Sequence, residues 1–233
     1  ADCRQEGTSG ANPCHQPIAW EDKVFVPYDW GYFAFVGNAG GDAPSSIAEL
    51  AASDIKIVIQ DPRSSTPGLG LLMWVKAAYP DESAAIWEAL ADNIVTVTPG
   101  WSEAYGLFLE GEADAVLSYT TSPAYHIFAE NDDTKVAWPF DEGHYMQIEV
   151  AAKLASTDQP ELADQFMAFI VSQGFQSVIP RTNWMYPAVT PDGGLPAEFE
   201  GLIKPETSLL LAPQEAASIR DTAVEEWRTA LSQ

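Results

Sequence analysis

The chain is short of positive charge. Lysine and arginine number 11 among 233 residues, against 34 aspartates and glutamates, giving a formal charge of −23 and a pI near 4.1. A field of that sign repels phosphate backbones, which excludes nucleic acid as a partner and favours cationic small molecules. Most of the carboxylates read as a solvated surface. Cysteine is scarce too. Only Cys3 and Cys14 occur, and His15 beside Cys14 has no further Cys or His at ligand spacing. A local disulfide in an oxidising compartment therefore fits better than a zinc site or catalytic thiol, with an unordered tail as the alternative. No run approaches the roughly 18 consecutive apolar residues of a membrane-spanning helix. No internal repeat or low-complexity stretch occurs. The sequence opens without a signal peptide and is expected to be a mature or truncated form.

Apolar residues are plentiful, at 46%, with 11% aromatic. That content excludes a disordered chain and supplies a core for one domain or two small lobes. Residues 1–19 read as loop or tail. From Val24 to Val36 runs VFVPYDWGYFAFV, which Pro27 and Gly31 are expected to divide into two short extended pieces. Ser46-Ile-Ala-Glu49 is a capping box opening a short helix. Ile55–Gln60 reads as a buried strand, then DPRSSTPG as a turn with Thr66 as N-cap and Pro67 at the first helical position. Helices are expected over 81–92 and 101–109, from Pro123, from Pro160 with Leu162, Phe166, Phe169 and Ile170 on one face, and from Pro213. Strands are expected over 94–98, 113–119 and 145–152. This alternation predicts an α/β protein with largely parallel sheets.

Three constellations could carry chemistry. The strand–DPRSSTPG–helix unit places Ser64, Ser65 and Thr66 at a helix N-terminus, where unpaired amides attract anions. Arg63, one of five arginines, lies beside them. A phosphate or carboxylate grip and an ordinary capped turn both fit. Aromatics cluster at loop and strand ends: Tyr28, Trp30, Tyr32, Trp101, Tyr119, Tyr125, Trp184 and Tyr186. Such a set suits a flat cationic ring, and some of its members suit core packing instead. Gly100-Trp-Ser102-Glu-Ala104 approaches a nucleophile elbow but lacks its second glycine. His126 and His144 show no Asp partner at motif spacing, and no metal-ligand spacing stands out.

The strings VPYDWGYFAFV, QDPRSSTPGLGLLMW, TVTPGWSEAYGLFLEGEADAVLSYTTSPAYH, EGHYMQIEVAA and NWMYP resemble the periplasmic thiamine-binding proteins of bacterial ABC importers, from about Trp20 to Gln233. The resemblance implies a two-lobed α/β solute-binding fold with hinge segments and a ligand held in the cleft. It implies residues 20–37 and 141–190 in the first lobe and hinges, and 38–140 and 191–233 in the second. It also implies a further N-terminal portion that residues 1–19 do not match, so the first lobe is expected to be incomplete. The implied function is capture of thiamine, thiamine monophosphate or thiamine diphosphate in the periplasm, without cofactor, metal or catalysis, for delivery to a membrane permease. By position, Ser65 would meet the phosphate or hydroxyethyl end. Trp101, Tyr119, Tyr125 and Trp184 would clamp the rings, and Tyr28, Asp29 and Trp30 would belong to the first hinge. The alternatives are a solute-binding protein for a polyamine or ferric ion, and a hydrolase using Ser102.

Overall fold

The computed structural model describes residues 20–232; the readings made for residues 1–19, including Cys3, Cys14 and His15, lie outside them. The segment VPYDWGYFAFVGN forms one continuous strand, β1 (Val26–Asn38), and not two short pieces. Pro27 is tolerated because it stands second in the strand, where a ladder N–H is dispensable. Gly31 marks a close approach, for a Cβ there would come within 2.8 Å of Met185 Cε.

After β1 follow α1 (Ile47–Ala51), β2 (Ile57–Gln60), α2 (Thr66–Ala78), α3 (Ser83–Leu90), β3 (Ile94–Thr98) and α4 (Trp101–Leu109). Next come β4 (Ala115–Tyr119), the short α5 (Pro123–Tyr125), a π-helical turn (His126–Glu130), β5 (Lys135–Ala137) and β6 (His144–Ala151). The chain continues through α6 (Pro160–Phe169), α7 (Gln173–Gln176), α8 (Ile179–Thr182), β7 (Tyr186–Pro187), β8 (Ser208–Leu209) and α9 (Pro213–Ala230). Ser46 caps α1, accepting from the Glu49 amide at 3.0 Å. Glu49 does not close the reciprocal half on Ser46; its carboxylate takes the Ser45 amide and hydroxyl. The α2 cap is Ser65 and not Thr66, which is already helical.

The described residues fall into two compact units. The larger comprises Tyr32–Met146 and the chain from Leu202 onward. Its strand order is β3-β2-β4-β1-β6-β8, with β5 also on β1. The α/β class expected from the sequence holds, but the sheet is mixed. β2 runs parallel to β3 and β4, whereas β1 is antiparallel to β4 and β5. Side chains of α1, α2, α3 and α9 form the main core with the sheet, around Trp74, Trp87, Phe33, Phe35 and Trp227. On the other face α4 contributes Ala104, Tyr105 and Phe108 to a second cluster with Ala34, Val58 and Val116.

The smaller unit takes the described residues up to Gly31 together with Gln147–Gly201. There β7 pairs with β1, Trp30 opposite Tyr186, and the two rings stack at 4.8 Å. Gln176 anchors the unit, donating to the Tyr28 and Ile170 carbonyls and accepting the Val189 amide. On α6 no residue is buried, and Leu162, Phe166 and Phe169 are all exposed; only Ile170, just past its end, is buried. Among the described residues no helix is long and apolar enough to cross a membrane.

Candidate functional site

The parallel strands β2, β3 and β4 bring their C-terminal ends to one edge of the sheet, the place where α/β folds collect ligands. Each end runs at once into a helix. Those three turns carry Ser65, Trp101, Tyr119 and Tyr125, all in the larger unit. The turns are tied together, since the Asp61 amide donates to Thr98 O at 2.8 Å and the Ser64 hydroxyl to Pro99 O at 2.8 Å. Behind them lie buried hydroxyls and amides: Gln60, Thr98, Ser118, Thr120, Thr121 and Ser122. Among these, Gln60 Oε1 and Thr120 Oγ1 have no hydrogen-bond partner within the described residues.

Ser65 is the half-buried N-cap of α2, and its side chain makes no capping bond to the first-turn amides. Those amides therefore retain their donor capacity for an anion. Arg63 does not share that task. Its guanidinium grips Asp61, with Nη2 2.6 Å from Oδ2, and lies 5.8 Å from the Trp227 ring. The same bond holds the Asp61 carboxyl below the usual range. The anion-binding capacity of this turn thus rests on the helix terminus and its hydroxyls.

Trp101 opens α4 and is 39% exposed. Its indole Nε1–H donates to Ser118 Oγ at 2.8 Å, and Ser118 shares a 2.7 Å bond with Ser122. Its face stacks on Tyr105 at 4.8 Å. Tyr119, half-buried, stacks on Phe33 at 5.3 Å. Tyr125 is 37% exposed and meets His126 edge-on at 5.1 Å. The charge of Glu130 and a bond to it push the Tyr125 phenol up.

In the smaller unit, Trp184 holds a left-handed backbone, φ 55. For a bulky side chain this is a costly geometry that functional sites often retain. Its neighbour Asn183 donates to Asp29 Oδ2 at 2.7 Å. Asp29 is fully buried, and burial, then the charge of Glu149, raises its carboxyl pKa. Tyr28 donates to Glu149 Oε2 at 2.7 Å, and its phenol is raised by burial first and Glu149 second. Asp29 and Trp30, as placed, hold this unit together and do not face solvent.

One cluster escaped the sequence reading. His126, fully buried, has Nδ1 2.6 Å from Glu130 Oε2 and Nε2 2.9 Å from the Tyr105 hydroxyl. The i,i+4 spacing of His126 and Glu130 was a legible signal for the first contact; Tyr105, from another helix, gave none. Nδ1, Glu130 and Asp132 place ligand atoms within 4.8 Å of one another, a group that could hold a metal ion. Each is already engaged, however, with Asp132 taking the Thr134 amide and hydroxyl. His144 is likewise satisfied. Nδ1 lies 2.7 Å from Phe33 O, Nε2 accepts the Phe140 amide, and burial lowers its pKa. Ser102 is exposed in the first turn of α4.

The model of the bacterial extracellular solute-binding protein family matches residues 26–182. The chain belongs to that family. A thiamine-binding periplasmic protein of Salmonella typhimurium (strain LT2) is 53% identical over 220 residues, 93% of this chain and 67% of the relative. The chain thus spans about two thirds of that relative's length. A solved periplasmic thiamin binding protein superposes with a TM-score of 0.91 at 50% identity, over 97% of this chain and 72% of that one. A ferric binding protein from Campylobacter jejuni, 17% identical with a TM-score of 0.72 over 90% of this chain and 71% of its own, shares the solute-binding fold alone.

Proposed function

We propose that this family member is a periplasmic binding protein for thiamine and its phosphate esters, and that it delivers them to the membrane permease of an ABC importer. The observation that carries the reading is the 53% identity to a thiamine-binding periplasmic protein over 93% of the chain. The chemistry of the larger unit supports it. Exposed Trp101 and Tyr125, with half-buried Tyr119, offer ring faces to a flat thiazolium cation, worth about 0.5–2 kcal/mol each when water is excluded. The strongly acidic chain favours that cation. Ser65 and the α2 amides are assigned to the phosphate. Trp184, with Tyr28, Asp29 and Trp30, belongs to the smaller unit's share of the assignment. The polyamine and ferric readings have no comparable support. The protein works as a carrier and not as an enzyme, with its cargo in place of a cofactor.

Calorimetric titration of the chain with thiamine and thiamine monophosphate tests the reading, with spermidine and ferric citrate as controls. Heat and tryptophan quenching with the thiamine compounds alone are expected; silence at millimolar ligand refutes it. In Ser65→Ala the monophosphate should bind about tenfold more weakly, the range of one charge-assisted hydrogen bond, while thiamine changes little. Equal losses for both ligands would show that Ser65 serves the fold.

A further inference from the structure

The two exposed rings Trp101 and Tyr125 lie on different elements, α4 and α5, yet one relay, buried at Tyr105 and His126, joins them. Trp101 stacks on Tyr105 with 30° between the rings, and Tyr105 stacks on His126 at 5.8 Å and 15°. The Tyr105 hydroxyl meets His126 Nε2, and His126 Nδ1 meets Glu130. Tyr125 in turn meets His126 edge-on at 5.1 Å, and the Glu130 carboxylate acts on its phenol. A carboxylate only accepts, so Nδ1 carries a proton. In the neutral ring Nε2 then accepts from Tyr105, whose phenol burial holds in its protonated form. The path runs indole to phenol to imidazole to carboxylate to phenol, with solvent-exposed rings at its two ends.

The local backbone is built for this. A π-helical turn over His126–Glu130, closed by Asn131 in the left-handed region, carries the imidazole and its carboxylate partner together. Single π turns inside helices are rare and gather at functional sites. A packed core would not need the arrangement. Burying an imidazole and a phenol costs desolvation that apolar side chains of the same size would avoid. Glu130, with 42% of its side chain exposed, pairs with His126, and its charge acts on Tyr125 and Tyr105.

We propose that Tyr105, His126 and Glu130 are positioning residues that lock Trp101 and Tyr125 as one preformed aromatic pair, so that groups making no ligand contact set the affinity. The proposal rests on the assignment of those two rings to the ligand. Its physical basis is that a side chain immobilised before binding loses less entropy on binding, a saving of about three- to tenfold in affinity per ring.

Tyr105→Phe is the sharpest perturbation, because it keeps the stack and removes only the hydroxyl. Glu130→Gln tests the other end at an exposed position where folding is not at risk. Two readouts are needed. The first uses no ligand: in protein labelled with 15N-indole, the Trp101 Nε1–H resonance, assigned with Trp101→Phe, should shift and exchange faster in Tyr105→Phe, with the melting temperature nearly unchanged. The second is the thiamine Kd, expected to rise about three- to tenfold in either variant. Neither variant should weaken binding further in a Trp101→Ala/Tyr125→Ala background. An unmoved indole resonance with unchanged affinity overturns the proposal. So does the same loss of affinity in the background lacking both rings, since that would be a general structural effect. If the parent chain binds no thiamine, the functional reading fails, and the indole resonance alone still decides the relay.

Discussion

Gly68 stands in the first turn of α2, and its missing Cβ is what lets that helix sit against the end of β2. A methyl there would lie 2.3 Å from Gln60 O and 2.8 Å from Asp61 C. Neither can turn aside, since Gln60 is paired with Thr98 in the β2–β3 ladder and the Asp61 amide donates to Thr98 O. Ordinary contact begins near 3.4 Å, so in Gly68→Ala the start of α2 must back away by about 1 Å, a forced overpacking. Two consequences follow from that one displacement. Overpacking costs about 1–3 kcal/mol and the better helix former returns up to ~1, leaving the fold about 0–3 kcal/mol less stable. Ser65 and the first-turn amides retreat as well, and hydrogen bonds weaken steeply with such a shift. Thiamine monophosphate should therefore bind about tenfold more weakly, ~1.4 kcal/mol, and thiamine less than about threefold. Calorimetry with both ligands and urea unfolding of both proteins separate the two effects. Unchanged monophosphate affinity despite lowered stability, or equal loss for both ligands, would show that this helix terminus does not hold phosphate.

The buried Asp29 carboxyl, raised by burial and by Glu149, has a folded pKa above its unfolded value near 3.9. Its contribution to stability is thus complete below that pH and is lost as pH rises through the folded pKa. Asp29→Asn, which keeps an acceptor for Asn183, should flatten this dependence and be about 1–3 kcal/mol more stable than the parent at pH 8; unfolding curves at pH 5 and pH 8 with parallel slopes for both proteins would contradict it. On α6, the exposed Leu162, Phe166 and Phe169 should bind a hydrophobic dye. Phe166→Lys with Phe169→Lys should reduce that fluorescence with unfolding free energy changed by less than about 0.5 kcal/mol, and a large stability loss would mean the face is covered in solution.

The sequence was most legible where one rule acted alone. β3 and α4 begin and end where Ile94, Thr98, Trp101 and Leu109 predicted, because a β-branched run followed by Pro-Gly leaves little choice. Pro27 misled because its cost depends on which end of a strand it occupies, and that is invisible without the partner strands. The face of α6 was legible as a pattern and not as a fate, since periodicity says which residues align and not what they meet. Ser65, Trp101, Tyr119 and Tyr125 were candidates on three separate turns; their common sheet edge follows from β2, β3 and β4 being mutually parallel, a tertiary fact. His126 stayed hidden for a related reason. Its second partner, Tyr105, comes from 21 residues away on another helix, and no pattern in the sequence joins the two.

The turn at His126–Glu130 carries its instruction in a count of residues more than in their identity. Removing one of them, Ala129 for instance, would let the segment wind as an ordinary α-helix and change the His126–Glu130 spacing from i,i+4 to i,i+3. Composition, charge and hydrophobicity would barely change, yet the carboxylate would meet the imidazole at a different angle and the 2.6 Å contact would have to form anew. Length variation at this one place therefore measures something that substitution cannot. A gap or insertion here would separate chains that inherit the same rings from those that inherit their alignment as well.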